Sequence, residues 1–442
     1  MEVELIIKST WIVPVVPRAT VLKDYAIIIH EKKILRILPQ QEALAQYSAK
    51  HIVQLDEHVL IPGLINSHCH APMALLRGAA DDLPLHEWLQ DRIWPLEQEF
   101  ISRKFVADGA ELAIAEMIAS GTTCFADMYF FPDEVAKTAI SANMRVQLAS
   151  PILDFPSVWA ANADEYILKA TQTHDQYRNS DLVSTAFGPH SLYTVSDEPL
   201  RKIGILADEL DIPIHVHIHE TKTEIQDSMK SFGVRPLARL KNLGLITPRL
   251  VSVHSTHLMD HDIELLSEQG ANVVHCPNSN MKLASGICNV SELAHHGVNV
   301  ALGTDGAASN NRLDMFGEMR AATLLAKVST EDATSLPAYK ALEMATIQGA
   351  KALGLEEEIG SLEPGKFADV VAVSLNEFNT LPINDPISHL VYAANSSQVS
   401  NVWIGGKSVM RHGGLLTLEK TKIINSALSW QRKIEKVSLE HD

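Results

Sequence analysis

The sequence has 442 residues, room for two or three domains at about 150 residues each, and its 46% hydrophobic and 21% charged content excludes disordered, collagenous and disulfide-stapled classes. With 37 Lys and Arg against 54 Asp and Glu, the net charge of −17 disfavours nucleic acid or an anionic membrane as partner and suits a small neutral or cationic substrate. Cys69, Cys124, Cys276 and Cys288 form no C-x-x-C pair and fit a reducing cytoplasm. No basic-then-apolar leader and no run of about 18 uncharged apolar residues is found, so neither secretion nor a membrane span is expected.

In chain order, residues 3–7, 25–30 and 34–38 read as short strands, the last two joined by the charged turn Glu31-Lys32-Lys33. Eight apolar strand segments follow, at 60–70, 122–128, 145–151, 183–190, 212–219, 250–254, 271–276 and 298–305, alternating with helical stretches. One helix opens at Ser196-Asp197-Glu198-Pro199 and carries Ile203, Leu206 and Leu210 at helical spacing up to Ile212-Pro213; another runs through Ile114 and Ile118 to Gly121. Residues 368–373 and Val402-Trp403-Ile404 are strands again, the latter turning at Gly405-Gly406 into 407–410. The class is α/β: a (β/α)8 TIM-like barrel over residues 60–362, beside a small composite β-sandwich domain. That domain is assembled from residues 1–59 and 363–442, the second part carrying a C-terminal helix, because neither end can close a core alone.

A barrel of this kind places its chemistry at the C-terminal ends of its strands, and polar residues gather there. Strand one ends in His68-Cys69-His70, and alternation sends both imidazoles inward. Alone, such a pair is equally well explained by core histidines bonded to carbonyls. Strand five repeats the pattern with His215, His217 and His219; all three point the same way by period two, so the pattern leaves the metal-binding one open. Glu220, just past that strand, can lean over the mouth as acid and base, although in isolation it reads as a solvated loop carboxylate. Strand six ends in His254-Ser255-Thr256-His257, and strand eight in Asp305 between two glycine-containing steps. Three imidazoles and a carboxylate suit Zn²⁺, and Fe²⁺, Mn²⁺ or Co²⁺ can take such ligands too. Strand four supplies His190 but no lysine to bridge a second metal, so one ion per subunit is expected. His275 is a candidate for the pocket wall, whereas His51, His58, His295, His296, His412 and His441 read as surface residues. The stretch from Gly78 to Pro84, leading to Trp88 and Trp94, is long enough for a lid.

The motifs Pro62-Gly63-Leu64-Ile65-Asn66-Ser67-His68-Cys69-His70, His217-Ile218-His219-Glu220-Thr221, His254-Ser255-Thr256-His257-Leu258 and Leu302-Gly303-Thr304-Asp305-Gly306-Ala307-Ala308-Ser309-Asn310 together resemble the amidohydrolase superfamily. Trp94-Pro95-Leu96-Glu97 and Gly188-Pro189-His190-Ser191-Leu192-Tyr193 are similar to its 5′-methylthioadenosine/S-adenosylhomocysteine deaminases, and the likeness runs on through Gly360-Ser361-Leu362-Glu363-Pro364-Gly365-Lys366-Phe367-Ala368-Asp369. The resemblance implies His68, His70, His217 and Asp305 as ligands of zinc. It implies Glu220 and His254 as the proton-handling pair, with Asp305 also catalytic, and Glu97, His190, Glu220 and Asp305 in contact with substrate. Arg145 matches a further substrate contact. A second arginine, common in the loop that follows, is replaced here by Ile152-Leu153-Asp154-Phe155-Pro156-Ser157. The expected reaction is hydrolytic deamination of an adenine nucleoside to its inosine analogue with release of ammonia. The alternative is an aminohydrolase acting on guanine, cytosine or a triazine. A cytidine-deaminase site is excluded by the lack of Pro-Cys-x-x-Cys, and a barrel that had lost its chemistry would be expected to lack ligands. A homo-oligomer is the expected assembly.

Overall fold

The computed structural model describes residues 1–441, with side chains as far as Val437. Strands β1 (Glu2–Ile12), β2 (Leu22–His30) and β3 (Lys33–Pro39) pair antiparallel in succession, and β4 (Ser48–Pro62) returns parallel to β1 with Val53 opposite Ile7. At Gly63 the chain leaves this sheet for a second one. There β5 (Leu64–Cys69), β6 (Thr122–Asp127), β7 (Arg145–Ile152), β8 (Val183–Pro189), β9 (Ile214–Ile218), β10 (Leu250–His254), β11 (Asn272–His275) and β12 (Asn299–Leu302) follow one another in sequence order, all parallel. Nearly every residue in these strands is buried, as in a parallel sheet covered on both faces.

Closure of the barrel is polar and local. The Asn66 side chain clasps Thr304, accepting from its amide (2.9 Å) and donating to its hydroxyl (2.7 Å), and the Asp305 amide donates to the His68 carbonyl (3.0 Å). A Cβ at Gly303 would stand 2.9 Å from the His68 backbone, so the seam needs a glycine there.

Helices fill the outer layer for local reasons. The helix Arg103–Ala119 starts with the Ser102 hydroxyl accepting the Phe105 amide and stops before Gly121 at φ 85°. The helix Asp197–Leu210 begins after Ser196 as expected, but that serine makes no capping bond; left-handed Asp211 ends the helix.

The chain ends then meet. Strand β13 (Val370–Ser374) lies antiparallel to β4, with Val371 opposite Ile61, and β14 (Val399–Ile404), β15 (Lys407–Arg411) and β16 (Gly414–Leu415) extend the sheet to eight strands. Gly405 and Gly406, at φ 57° and 73°, make the two-residue turn between β14 and β15. Val371 and Val373 pack with the barrel core, while Val370, Ala372 and Trp403 join Ile7, Ile27 and Leu60 in a separate apolar cluster.

The first barrel strand starts later than the sequence reading has it. Residues 60–62 pair with β13 and belong to β4; an unbroken apolar run hides the handover at Gly63, whose amide bonds the Asp369 carbonyl. The terminal helix Lys420–His441 packs on the barrel helix Arg103–Ala119: Trp430 meets Phe105 edge-on at 5.3 Å and donates to Asp108 (2.7 Å). Among the described residues no helix is long and apolar enough to cross a membrane.

Candidate metal centre and active site

His68, in β5, and His70, one residue past its end, both reach the barrel mouth, where their Nε2 atoms stand 3.4 and 3.3 Å from Asp305 Oδ1. His217, from β9, brings its Nε2 to 3.2 Å from that of His68. His254, ending β10, completes a cluster in which the donor atoms of His68, His217 and His254, and those of His68, His70 and Asp305, lie within 4.8 Å of one another.

Every member is braced from behind. His70 and His217 donate through Nδ1 to the carbonyls of Met128 and His190 (both 2.6 Å), which turns each Nε2 toward the cluster. His68 Nδ1 meets His215 Nε2 at 2.9 Å, and His254 Nδ1 meets Asn280 Oδ1 at 2.8 Å. The hydroxyls of Ser279 and Ser309 both donate to Asp305 Oδ2 at 2.6 Å, so Oδ1 faces the imidazoles. Burial pulls His68 down to about 4 and holds His217 well below the ordinary histidine range, keeping both neutral, the form that ligates a metal. Burial opposes the Asp305 carboxylate, but His68 and His70 outweigh it and keep it ionised, well below the usual range. Burial opposes a charge on His70 too, but its bond to Asp305 raises it to about 9; imidazoles presenting Nε2 around one carboxylate oxygen, this one giving up its proton to a cation, fit a zinc ion. His254 and Asp305 adopt left-handed φ of 71° and 62°.

Glu220 emerges buried beyond β9, its Oε2 3.9 Å from His254 Nε2 and its Oε1 accepting from Ser285 (3.4 Å). Burial raises its carboxyl above the ordinary range, against the pull of His254. The turn that aims it is pinned by Glu224, which accepts the amides of both His219 (3.0 Å) and Glu220 (2.7 Å). Glu97, on the helix Trp94–Phe100, accepts the Tyr129 hydroxyl (2.6 Å); enclosure by the surrounding protein pushes its carboxyl up to about 7. His190 follows β8 with Nδ1 3.2 Å from the Thr194 hydroxyl, and burial lowers it to about 4. Glu97, His190, Glu220 and His254 line one cavity of about 310 Å³ with His70, His217 and Asp305. Trp88 and Trp94 line it too, whereas Gly78 to Pro84 do not.

Several sequence-derived positions land elsewhere. His219 turns out of the barrel at φ 55°, its Nε2 accepting the Leu237 amide (3.1 Å); strand alternation no longer holds there, because β9 ends at Ile218. His215 sits behind His68 as its brace. Arg145 is not a substrate contact. It opens β7, at the barrel end opposite the mouth, where it pairs with Asp369 (2.7 Å), donates to the Asp181 carbonyl and lies 4.1 Å over the Phe367 ring. His275 is buried at the end of β11 without lining the cavity. His51, His295 and His412 are exposed and His58 and His296 half-buried, while the side chain of His441 lies outside the described residues. Tyr129, Glu224 and Asn280 were not singled out from sequence. Only the Asn-Ser-Asn run after β11 carried a signal, as polar residues at a barrel strand end.

The profile of the Amidohydrolase family matches residues 59–409. A 5-methylthioadenosine/S-adenosylhomocysteine deaminase of Teredinibacter turnerae is 49% identical over 426 residues, 96% of this chain and 96% of that protein. Its counterpart in Saccharophagus degradans is 48% identical over 432 residues, 98% of this chain and 97% of its own. Among solved structures, an adenosine deaminase from Xanthomonas campestris with bound zinc is 46% identical and superimposes with a TM-score of 0.98, covering 98% of this chain and 99% of that one. A match over this much of the sequence, on a barrel whose strand ends converge as described, makes the chain a member of the amidohydrolase family.

Proposed function

We propose that the protein is a zinc-dependent aminohydrolase that deaminates an adenine nucleoside to its inosine analogue and ammonia. The observation that carries this reading is the convergence of a buried carboxyl, Glu220, and an imidazole, His254, 3.9 Å apart beside the His68, His70, His217 and Asp305 cluster. Relatives at 48–49% identity named for methylthioadenosine and S-adenosylhomocysteine, and a zinc-bearing neighbour named for adenosine, support the substrate class.

His68, His70, His217 and Asp305 would hold the ion. Bound zinc supplies an acidified water, with a pKa near 7 instead of 15.7, as nucleophile at neutral pH. Glu220 delivers its proton to N1 of the adenine ring, which makes C6 electrophilic. His254 hydrogen-bonds the oxygen arriving at C6, its ring held by Asn280. Asp305 accepts one proton of the water and passes it to the departing amino group; as ammonia leaves and the C6 carbonyl forms, the remaining hydroxyl proton returns to Glu220 and restores its carboxyl. Glu97 accepts hydrogen bonds from the ribose hydroxyls, and His190 closes the pocket beside the sugar.

An ammonia-release screen of the zinc-loaded protein against adenosine, methylthioadenosine, S-adenosylhomocysteine, guanine, cytosine and triazines tests this. Turnover of an adenine nucleoside is expected. Turnover of guanine or a triazine alone overturns the reading.

A further inference from the structure

Beyond the reacting groups, His190 and Glu97 the cavity wall is mostly apolar, its other polar side chains being uncharged: Gln98, Ser157, Thr194 and the tyrosines Tyr129 and Tyr193. Leu153, Phe155, Pro156, Ser157 and Val158, from the loop after β7, line it together with Trp88 and Leu89 of the segment after β5. Phe155 is 45% and Val158 56% exposed, which places this wall at the rim. Among the described residues no lysine or arginine lines the cavity. Its carboxylates are engaged: Glu97 by Tyr129, Glu220 by Ser285, Asp305 by Ser279 and Ser309. Charged side chains near the loop are committed elsewhere. Asp154 accepts the Ser196 amide (2.8 Å), and Lys169 donates to the Trp159 carbonyl and pairs with Glu165 (2.8 Å).

In an adenine nucleoside, C6 and the 5′ carbon lie at opposite ends. With C6 beside Glu220 and His254, the 5′ substituent therefore meets the rim wall. We infer that this cavity selects adenine nucleosides with an uncharged, apolar 5′ substituent, such as methylthio, and discriminates against a 5′ tail ending in an amino acid. The inference rests on the adenine-nucleoside reading of the site. A thioether and its methyl group lose water favourably against Phe155 and Pro156, and sulfur packs well at an aromatic edge. A carboxylate and an ammonium on the same wall give up hydration and find no partner of opposite charge.

The test compares kcat/KM of the zinc-loaded protein for adenosine, methylthioadenosine, 5′-butylthioadenosine and S-adenosylhomocysteine. Methylthioadenosine is expected to exceed S-adenosylhomocysteine by about 100-fold, the scale on which an apolar pocket rejects an added polar group. The butylthio compound, long but uncharged, should stay close to methylthioadenosine. Phe155→Arg should raise the ratio of S-adenosylhomocysteine to adenosine turnover about tenfold, since a cation at the rim pairs the carboxylate; Val158→Arg, on the same rim, repeats the test. Equal use of methylthioadenosine and S-adenosylhomocysteine overturns the inference and leaves the nucleoside reading standing. So does rejection of the butylthio compound, which would make length the criterion, or an unchanged ratio in both arginine variants. Failure of all four nucleosides, with another heterocycle deaminated, removes the nucleoside reading itself and the inference with it.

Discussion

The Asp305 amide donates to the His68 carbonyl at 3.0 Å while Asp305 Oδ1 stands 3.4 Å from Nε2 of the same histidine. One pair of residues thus joins the last barrel strand to the first and brings together two members of the candidate metal site. Barrel closure and assembly of the ligands are the same event, and the site is as rigid as the seam that Gly303 permits.

The two strand-five histidines on either side of Ile218 should behave oppositely. His217→Ala is expected to lose most bound zinc on elemental analysis, by more than the roughly 10- to 100-fold that loss of a bracing partner alone costs. His219→Ala, whose ring faces Leu237, should keep a full equivalent. Equal retention in both would remove His217 from the ligand set.

Glu220→Gln preserves shape and metal but neither gives nor takes the proton. Its kcat should fall by about 10²- to 10⁴-fold, the usual contribution of general acid-base catalysis. Unchanged turnover with zinc bound would exclude Glu220 from the proton transfer.

For Glu97 the sign of the pH effect can be worked out. Its carboxyl, pushed up to about 7, is neutral below that pH and ionised above it. Ionisation strengthens its hydrogen bonds with ribose hydroxyls, so kcat/KM for nucleosides should rise as pH passes upward through about 7. Glu97→Gln should flatten that limb and cost nucleosides about 1.5–3 kcal/mol, or roughly 10- to 150-fold. Free adenine, lacking the sugar, is the control; an equal loss on adenine would place Glu97 elsewhere.

Arg145→Met tests the reassignment of that residue. With side chains only 5% and 2% exposed, Arg145 and Asp369 form a buried pair, and removing one partner strands the other. The cost should be on the order of 3–5 kcal/mol in denaturant unfolding. Nucleoside kcat/KM of the folded fraction should hold; a selective drop in kcat/KM at unchanged stability would return Arg145 to the substrate.

The legible features were those fixed by local pattern. The spacing of His68 and His70 put them on one side, and apolar runs alternating with helical stretches located the barrel strands. Pattern failed where geometry is set by distant partners. His219 leaves its strand through a left-handed residue, which period two cannot register. Residues 60–62 join β4 because β13, far along the chain, pairs with them. Arg145 carries the charge that a substrate contact would carry, and only the fold shows Asp369 beside it. Tyr129 and Glu224 are ordinary in sequence and gain meaning from Glu97 and the Glu220 turn.

The eight-stranded sheet also dictates an order of construction. During synthesis β4 finds β1 at once, yet its other edge, with Leu60 and Ile61, waits for β13 until the entire barrel has left the ribosome. An unpaired apolar edge held open that long is a template for pairing with another nascent chain. Nascent chains stalled or truncated before Val370 should therefore aggregate through β4, and rapid delivery of the last strands protects the first.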